Sequence, residues 1–322
     1  MALPDFFIAG APKAGTTALH AALTHHPQLY FPRSKEPKYF LCGDRPPDLD
    51  RQRGPGDAHS AGEWVWRRDR YERLFDPAPE GSLRGEATPF YLYDRAAQRR
   101  IQEARPDAKL VVLLRDPVDR AYSNWMHLWS DGLEPISDFV AACAAEEERI
   151  ARGWAPFWHY RALGRFGEQL DHLYSLFPRE QVLVQRYRQL VDEPVATLDR
   201  VCTFLGVSPG ILLPPGPQNT RPFVPDTPST RLLASAVRAG ASLGALAPPE
   251  VWRAASRPLL ATLQRRGGPR PRLTVAERRE VLAPLVDDIR LLERIVDVSF
   301  EDWLGDEGRG EFRARRPALA EG

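Results

Sequence analysis

The chain has 322 residues, enough for one large α/β domain or two small ones. Its 44 Lys and Arg face 43 Asp and Glu, and a net charge of +1 excludes the broad basic field of a nucleic-acid or anionic-membrane binder, so its cations must act locally. Cys42, Cys143 and Cys202 lack metal-ligand spacing and suit a reducing, cytoplasmic setting, no metal is expected, and no leader or run of ~20 apolar residues predicts a membrane span.

Phe6-Phe7-Ile8 reads as a buried strand and Ala18, Leu19, Ala22 and Leu23 as the apolar face of a helix, with Ala9 to Thr17 as a tight loop between them. Such a loop aims backbone N–H groups and the helix dipole at one point, where Lys13 adds a charge and Thr16 and Thr17 add hydroxyls. A phosphate-type anion is the expected ligand; an empty Gly-containing turn is the alternative. Gly10, Gly15 and Thr17 stand at Walker A spacing, but Thr16 takes the lysine's place and Lys13 lies inside the loop. That shift favours a nucleotide with a short 5′ chain.

The stretch Pro12-Lys13-Ala14-Gly15-Thr16-Thr17-Ala18-Leu19 resembles the 5′-phosphosulfate loop of sulfotransferases that use 3′-phosphoadenosine-5′-phosphosulfate (PAPS), in its bacterial and heparan-sulfate-type form. The resemblance covers residues 5–205 well and the C-terminal third loosely. It implies an α/β fold with a P-loop-like central parallel sheet flanked by helices in three layers. It also implies that Lys13, Ala14, Gly15, Thr16, Thr17 and Ala18 hold the donor.

Next, Gln28 to Phe31 reads as a short strand, and Ser34-Lys35-Glu36-Pro37-Lys38-Tyr39-Phe40 follows. The family carries a Lys-Glu-Pro-His-Phe-Phe type segment here. The match implies that Glu36 is the base that takes the acceptor's proton, while Lys38 replaces the usual histidine and could hold a substrate hydroxyl. A solvated loop with an ordinary Lys-Glu pair is the alternative. Residues 43 to 62 read as a long surface loop, and Trp64 to Phe75 as an aromatic helical stretch. Gly85-Glu86-Ala87-Thr88-Pro89-Phe90-Tyr91 resembles a further family segment, with Ala87 where heparan-type members carry lysine. Glu86 is the second candidate for the base or an acceptor contact, or else holds the loop through backbone N–H groups.

Asp94 to Glu103 reads as a helix, and Lys109 to Leu114 as a central parallel strand buried on both faces. Asp116 suits an N-cap and Pro117 the first helical position, which puts Arg115 at the carboxyl end of a central strand. Ser123 follows two helical turns later. An Arg and a Ser at this spacing form the family's 3′-phosphate site, which the resemblance carries to Arg115 and Ser123; an Arg115–Asp116 capping ion pair is the alternative. A nucleotide with a 5′ group and a 3′-phosphate needs two anion sites, whereas ATP needs one.

Ile136 to Arg152 is expected as one amphipathic helix with Glu146-Glu147-Glu148 on a solvated face. The aromatic cluster Gly153 to Tyr160 either stacks on a sugar or adenine through Trp158 or tucks under the helices. A strand at Gln181–Gln185 and a helix at Pro194–Leu205 read as scaffold. Beyond a Pro-rich connection at 208–228, helices are expected at 229–246 and 249–264. Between these and a Thr274–Glu277 capping box, Arg265 to Pro271 forms a basic Gly/Pro loop. Comparable family loops fold over the 3′-phosphate and adenine, which marks Arg266, Gly267 and Arg270, with an exposed linker as the alternative. Residues 1–305 are expected to form a single domain and 306–322 a tail. The implied activity is sulfuryl transfer from PAPS to a hydroxyl or amine of a small-molecule or glycan acceptor. An altered-loop kinase or NTPase and a non-catalytic nucleotide- or glycan-binding module remain open.

Overall fold

The computed structural model describes residues 3–55, 63–214, 222–244, 249–265 and 267–306. Five parallel strands form the sheet: β1 (Phe6–Gly10), β2 (Leu29–Tyr30), β3 (Leu83–Ala87), β4 (Lys109–Leu114) and β5 (Val182–Arg186), in the order β2-β3-β1-β4-β5. All of β1 and all but the first residue of β4 are buried, as a sheet covered on both faces requires. The flanking helices of the first half are α1 (Thr16–Leu23), α2 (Tyr39–Cys42), α3 (Arg68–Arg73), α4 (Arg95–Ala104), α5 (Pro117–Ser130), α6 (Phe139–Ala144) and α7 (Glu146–Ala151). Those of the second half are α8 (Phe166–Tyr174), α9 (Tyr187–Asp192), α10 (Pro194–Leu205), α11 (Pro228–Gly244), α12 (Pro249–Arg265), α13 (Val275–Leu282) and α14 (Val286–Val296). This is the expected three-layer α/β arrangement. None of the described helices is long and apolar enough to cross a membrane.

From β1 the chain builds β2 and β3 on one side, then crosses to β4 and β5 on the other. The strand order therefore reverses between β1 and β4, and the crevice outside their carboxyl ends is where open α/β sheets bind ligands. Arg278 of α13 ties the C-terminal helices to this edge. It donates to Asp116 Oδ2 (2.5 Å) at the start of α5, and both side chains are nearly buried. Thr274 and Glu277 form the expected capping box, and a 3-10 turn at Ala283–Leu285 separates α13 from α14 where Pro284 interrupts the helix.

Two local expectations give way to tertiary contacts. Residues 136–152 form two short helices, α6 and α7, instead of one. Glu146 faces inward, not to solvent, and its carboxylate accepts the backbone N–H groups of Arg161 (2.5 Å) and Ala162 (2.8 Å). In the 64–75 stretch only α3 is helical. Trp64 to Trp66 stay outside the helix: Trp66 N–H bonds back to Trp64 O (3.1 Å), and Val65 N–H bonds to Pro37 O (2.9 Å), which fastens the segment to the 36–38 loop.

Candidate active site

The loop after β1 is held from both sides. Leu92 N–H donates to Ala9 O and Ala11 N–H to Leu113 O, each at 2.8 Å. Lys13 has φ 65° and Gly15 φ 91°. At Gly15 a Cβ would lie 2.6 Å from the Tyr187 ring, so glycine serves both the left-handed backbone and the close approach of that ring. Side chains of Asp94, Asp116, Asp138 and Thr274 cap the first turns of α4, α5, α6 and α13. The first turn of α1, by contrast, has no side-chain cap and no acidic residue. A helix start of this kind leaves first-turn amides, here at Thr16, Thr17 and Ala18, without a side-chain acceptor, as an anion-binding helix start does. The N–H of Ala14 bonds to Ala11 O (3.2 Å) and shapes the turn.

Arg115 leaves the end of β4 buried, at 8% exposure. Its Nη1 donates to Lys13 O at 2.9 Å, and its guanidinium lies 5.2 Å from the Tyr187 ring centroid. Burial lowers the Arg115 pKa. The capping role falls to Asp116 alone, which accepts Val118 N–H (2.9 Å) and Asp119 N–H (3.1 Å) and pairs with Arg278. The Arg115–Asp116 alternative is thus answered by a different arginine. Ser123 lies buried two turns along α5. Its neighbour Tyr122 donates to Pro271 O at 2.8 Å, and Gly268 pairs with Phe223. These contacts lay the basic loop against α5 and bring Arg270 close enough to Arg115 to lower the Arg115 pKa further, after the larger effect of burial. Gly267 donates its N–H to Gln264 O (2.9 Å) and closes the end of α12, so that amide is engaged within the chain. Arg266 lies outside the described residues.

Glu36 sits beside the loop after β1. Lys35 Nζ donates to Glu36 Oε1 at 2.7 Å and to Thr17 Oγ1 at 3.2 Å, so one ammonium links the carboxylate to the first turn of α1. Glu36 (φ 60°) and Lys38 (φ 61°) join Lys13 in the left-handed region, which non-glycine residues rarely occupy. Backbone strain gathered at three candidate residues is a mark of functional sites. Lys38 Nζ stands 5.1 Å from the Trp64 ring centroid and 5.9 Å from that of Phe90.

Two histidines escaped the sequence reading. His127 Nδ1 lies 3.3 Å from Lys13 Nζ, and its Nε2 lies 3.6 Å from Asp131 Oδ2. Its spacing four residues after Ser123, on the same face of α5, was the available signal. His20 of α1 lies near Lys35 and Glu36; burial first, then the Lys35 charge, lower its pKa to about 4 and keep it neutral.

Two other candidates are placed differently from expectation. Glu86 is fully buried and accepts hydrogen bonds from Tyr71 (2.5 Å) and Tyr91 (3.0 Å), not from backbone N–H groups. Burial pushes its carboxyl up to about 7 against those bonds. It cannot touch an acceptor from there. Trp158 is 1% exposed with Trp154 packed edge-on against it, so it backs the cavity wall and offers no open ring for stacking. The cavity itself, about 1330 Å³, opens onto Glu36, Lys38, Trp64, Phe90, His127 and Phe157.

The sulfotransferase family profile matches residues 4–209. Human heparan sulfate glucosamine 3-O-sulfotransferase 3B1 is 32% identical over 205 residues, 64% of this chain and 46% of its own. Mouse bifunctional heparan sulfate N-deacetylase/N-sulfotransferase 4 is 29% identical over 221 residues, 64% of this chain and 23% of its own. The chain thus matches less than half the length of these two curated relatives. A solved sulfotransferase from Alicyclobacillus acidocaldarius is similar over 95% of this chain and 100% of that one, with 31% identity and a TM-score of 0.72. The matched region contains the uncapped helix start, Glu36 and Arg115, and on these grounds the chain belongs to the sulfotransferase family.

Proposed function

We propose that the chain transfers a sulfuryl group from PAPS to a hydroxyl or amine of a sugar-containing or natural-product acceptor. The observation that supports this most directly is the Arg115–Lys13 carbonyl bond, which joins two anion-type sites across the β1/β4 switch point beside a carboxylate-bearing cavity. The residues present suit the nucleotide: the amides of α1, Lys13, Arg115, Ser123 and Arg270 are all hydrogen-bond donors, and the missing Cβ at Gly15 lets the Tyr187 ring pack against the loop. A guanidinium matches a phosphate dianion better than an ammonium does. When bound, PAPS supplies an activated sulfuryl group.

Lys13 and the first-turn amides of α1 would stabilise negative charge at the 5′ phosphate, a stabilisation that acts where charge develops. Arg115, Ser123 and Arg270 would hold the 3′-phosphate. Glu36 takes the proton of the attacking hydroxyl, while Lys35 keeps its carboxylate beside Thr17. His127 positions Lys13 from the acceptor side. Sugar acceptors are supported by the heparan sulfate sulfotransferases among the relatives.

The test combines PAP calorimetry with a sulfate-transfer assay. Glu36→Gln is expected to cut kcat by about 10²- to 10⁴-fold while PAP affinity stays within about twofold. Full turnover in Glu36→Gln would remove the base assignment, and failure of the unsubstituted chain to bind PAP would remove the donor.

A further inference from the structure

Resting on the sulfuryl-transfer reading, we infer that the acceptor is an uncharged, multi-ring hydroxylated molecule with a flat apolar face, and that polyanionic glycan chains are refused by the cavity. The first ground is a connected arc of half-buried rings. Trp64 and Phe90 flank Lys38 at 5.1 and 5.9 Å. Phe90 meets Phe157 at 5.9 Å between ring centroids, and Phe157 meets the His127 ring edge-on at 5.5 Å. His127 in turn reaches Lys13. The arc runs along the acceptor cavity and ends at the donor loop. Rings left partly open inside a cavity are surface that a ligand's apolar face would cover.

The second ground is charge. The basic side chains lining the cavity already have neighbours or face water. Arg51 lies 3.6 Å from Asp48, and Arg165 pairs with Glu168 at 3.3 Å. Arg100 donates to the carbonyls of Phe40 (2.7 Å) and Leu41 (3.1 Å), and Lys38 rests on the two rings. Arg45 and Arg95 are exposed. Against these stand Glu36, Glu63, Asp94 and Asp131 besides Asp48 and Glu168, so acids and bases along the walls balance. Glu36 pairs with Lys35 (2.7 Å), Asp94 caps α4, and Asp131 accepts from Gln264 (3.0 Å), so the acids are engaged as the bases are and a chain of carboxylates and sulfates would gain little net attraction.

The third ground is size. The volume of about 1330 Å³ exceeds the roughly 300–1,000 Å³ typical of small-ligand pockets, which leaves room for several linked or fused rings. A hydroxyl at one end of such a molecule would meet Glu36 while its apolar face lies along Phe90 and Phe157.

The experiment titrates 2-naphthyl β-glucoside and a heparosan hexasaccharide into the full chain by calorimetry, with and without saturating PAP. The naphthyl glucoside is expected to bind, with affinity changing less than about twofold between about 0.05 and about 0.5 M NaCl. Phe157→Ala is expected to weaken it about tenfold while PAP affinity is unchanged. Phe90→Leu, which keeps most of the packing volume, is expected to weaken it by about threefold. The hexasaccharide is expected to give no binding heat. Tighter binding of the hexasaccharide with steep salt dependence would overturn the inference, as would naphthyl glucoside binding that is absent or indifferent to both substitutions. A missing PAP signal alone would instead overturn the donor reading, because the titration without PAP still scores the cavity.

Discussion

The crevice at the β1 and β4 strand ends and the cavity beside it are made in different ways. The crevice is backbone and buried cation: uncapped amides of α1, a left-handed lysine, and Arg115 fixed to the Lys13 carbonyl. The cavity is loop and ring: half-buried aromatics from separate segments, with basic and acidic walls in balance. A nucleotide with fixed charges can be gripped by rigid dipoles at strand ends, whereas acceptor choice rests on side chains that loops present.

The contrast can be broken hardest at Lys13. Lys13→Ala is expected to lower sulfate transfer by about 10²- to 10³-fold, the loss typical of removing one donor from a developing charge, with the thermal midpoint little changed. If turnover survives, the loop is a binding feature only. Arg115→Lys sharpens the comparison from the donor side. It keeps the charge but loses the planar fork, and PAP affinity is expected to fall about 10- to 100-fold in calorimetry while binding of an acceptor alone is untouched. Equal losses on both sides would mean that the two halves are not separable.

The smallest effect concerns Glu86, which lies beneath both. Its carboxyl is raised by burial to about 7 in the folded chain, above the ordinary carboxylate range. The unfolded chain therefore loses the proton first as pH rises. The contribution of this group to stability is full below about pH 4.5, declines as pH rises to about 7, and is flat above. Glu86→Gln keeps an acceptor for Tyr71 and Tyr91 and removes the titration. It is expected to flatten the profile and to add on the order of 1–3 kcal/mol at pH 8, measured by urea unfolding across pH 4 to about 9. An unchanged pH profile would show that the burial of Glu86 does not govern it.

Legibility followed sequence distance. The strand-loop-helix around Lys13 and the strand-turn-helix around Arg115 each lie within a dozen or so residues, so local periodicity, caps and glycine placement exposed them. Glu36 needed a family resemblance, because a Lys-Glu-Pro segment alone is an ordinary loop. The inward turn of Glu146 depended on the amides of Arg161 and Ala162, fifteen and sixteen positions away. His127 read as one more residue on a helix until Lys13, 114 positions earlier, came within 3.3 Å.

What the chain's linear order determined was the parallel sheet and the sulfotransferase family, because hydrophobic runs and tight turns act over short range and carry the motifs that mark it. Tertiary structure alone decided which carboxylate stays at the cavity and which is sealed away. Glu36 and Glu86 are both carboxylates following short strands or ending them, yet one keeps 30% of its side chain exposed beside Lys35 and the other is closed over by two phenols. Burial and the approach of distant charges set that difference, and neither is a property of local sequence.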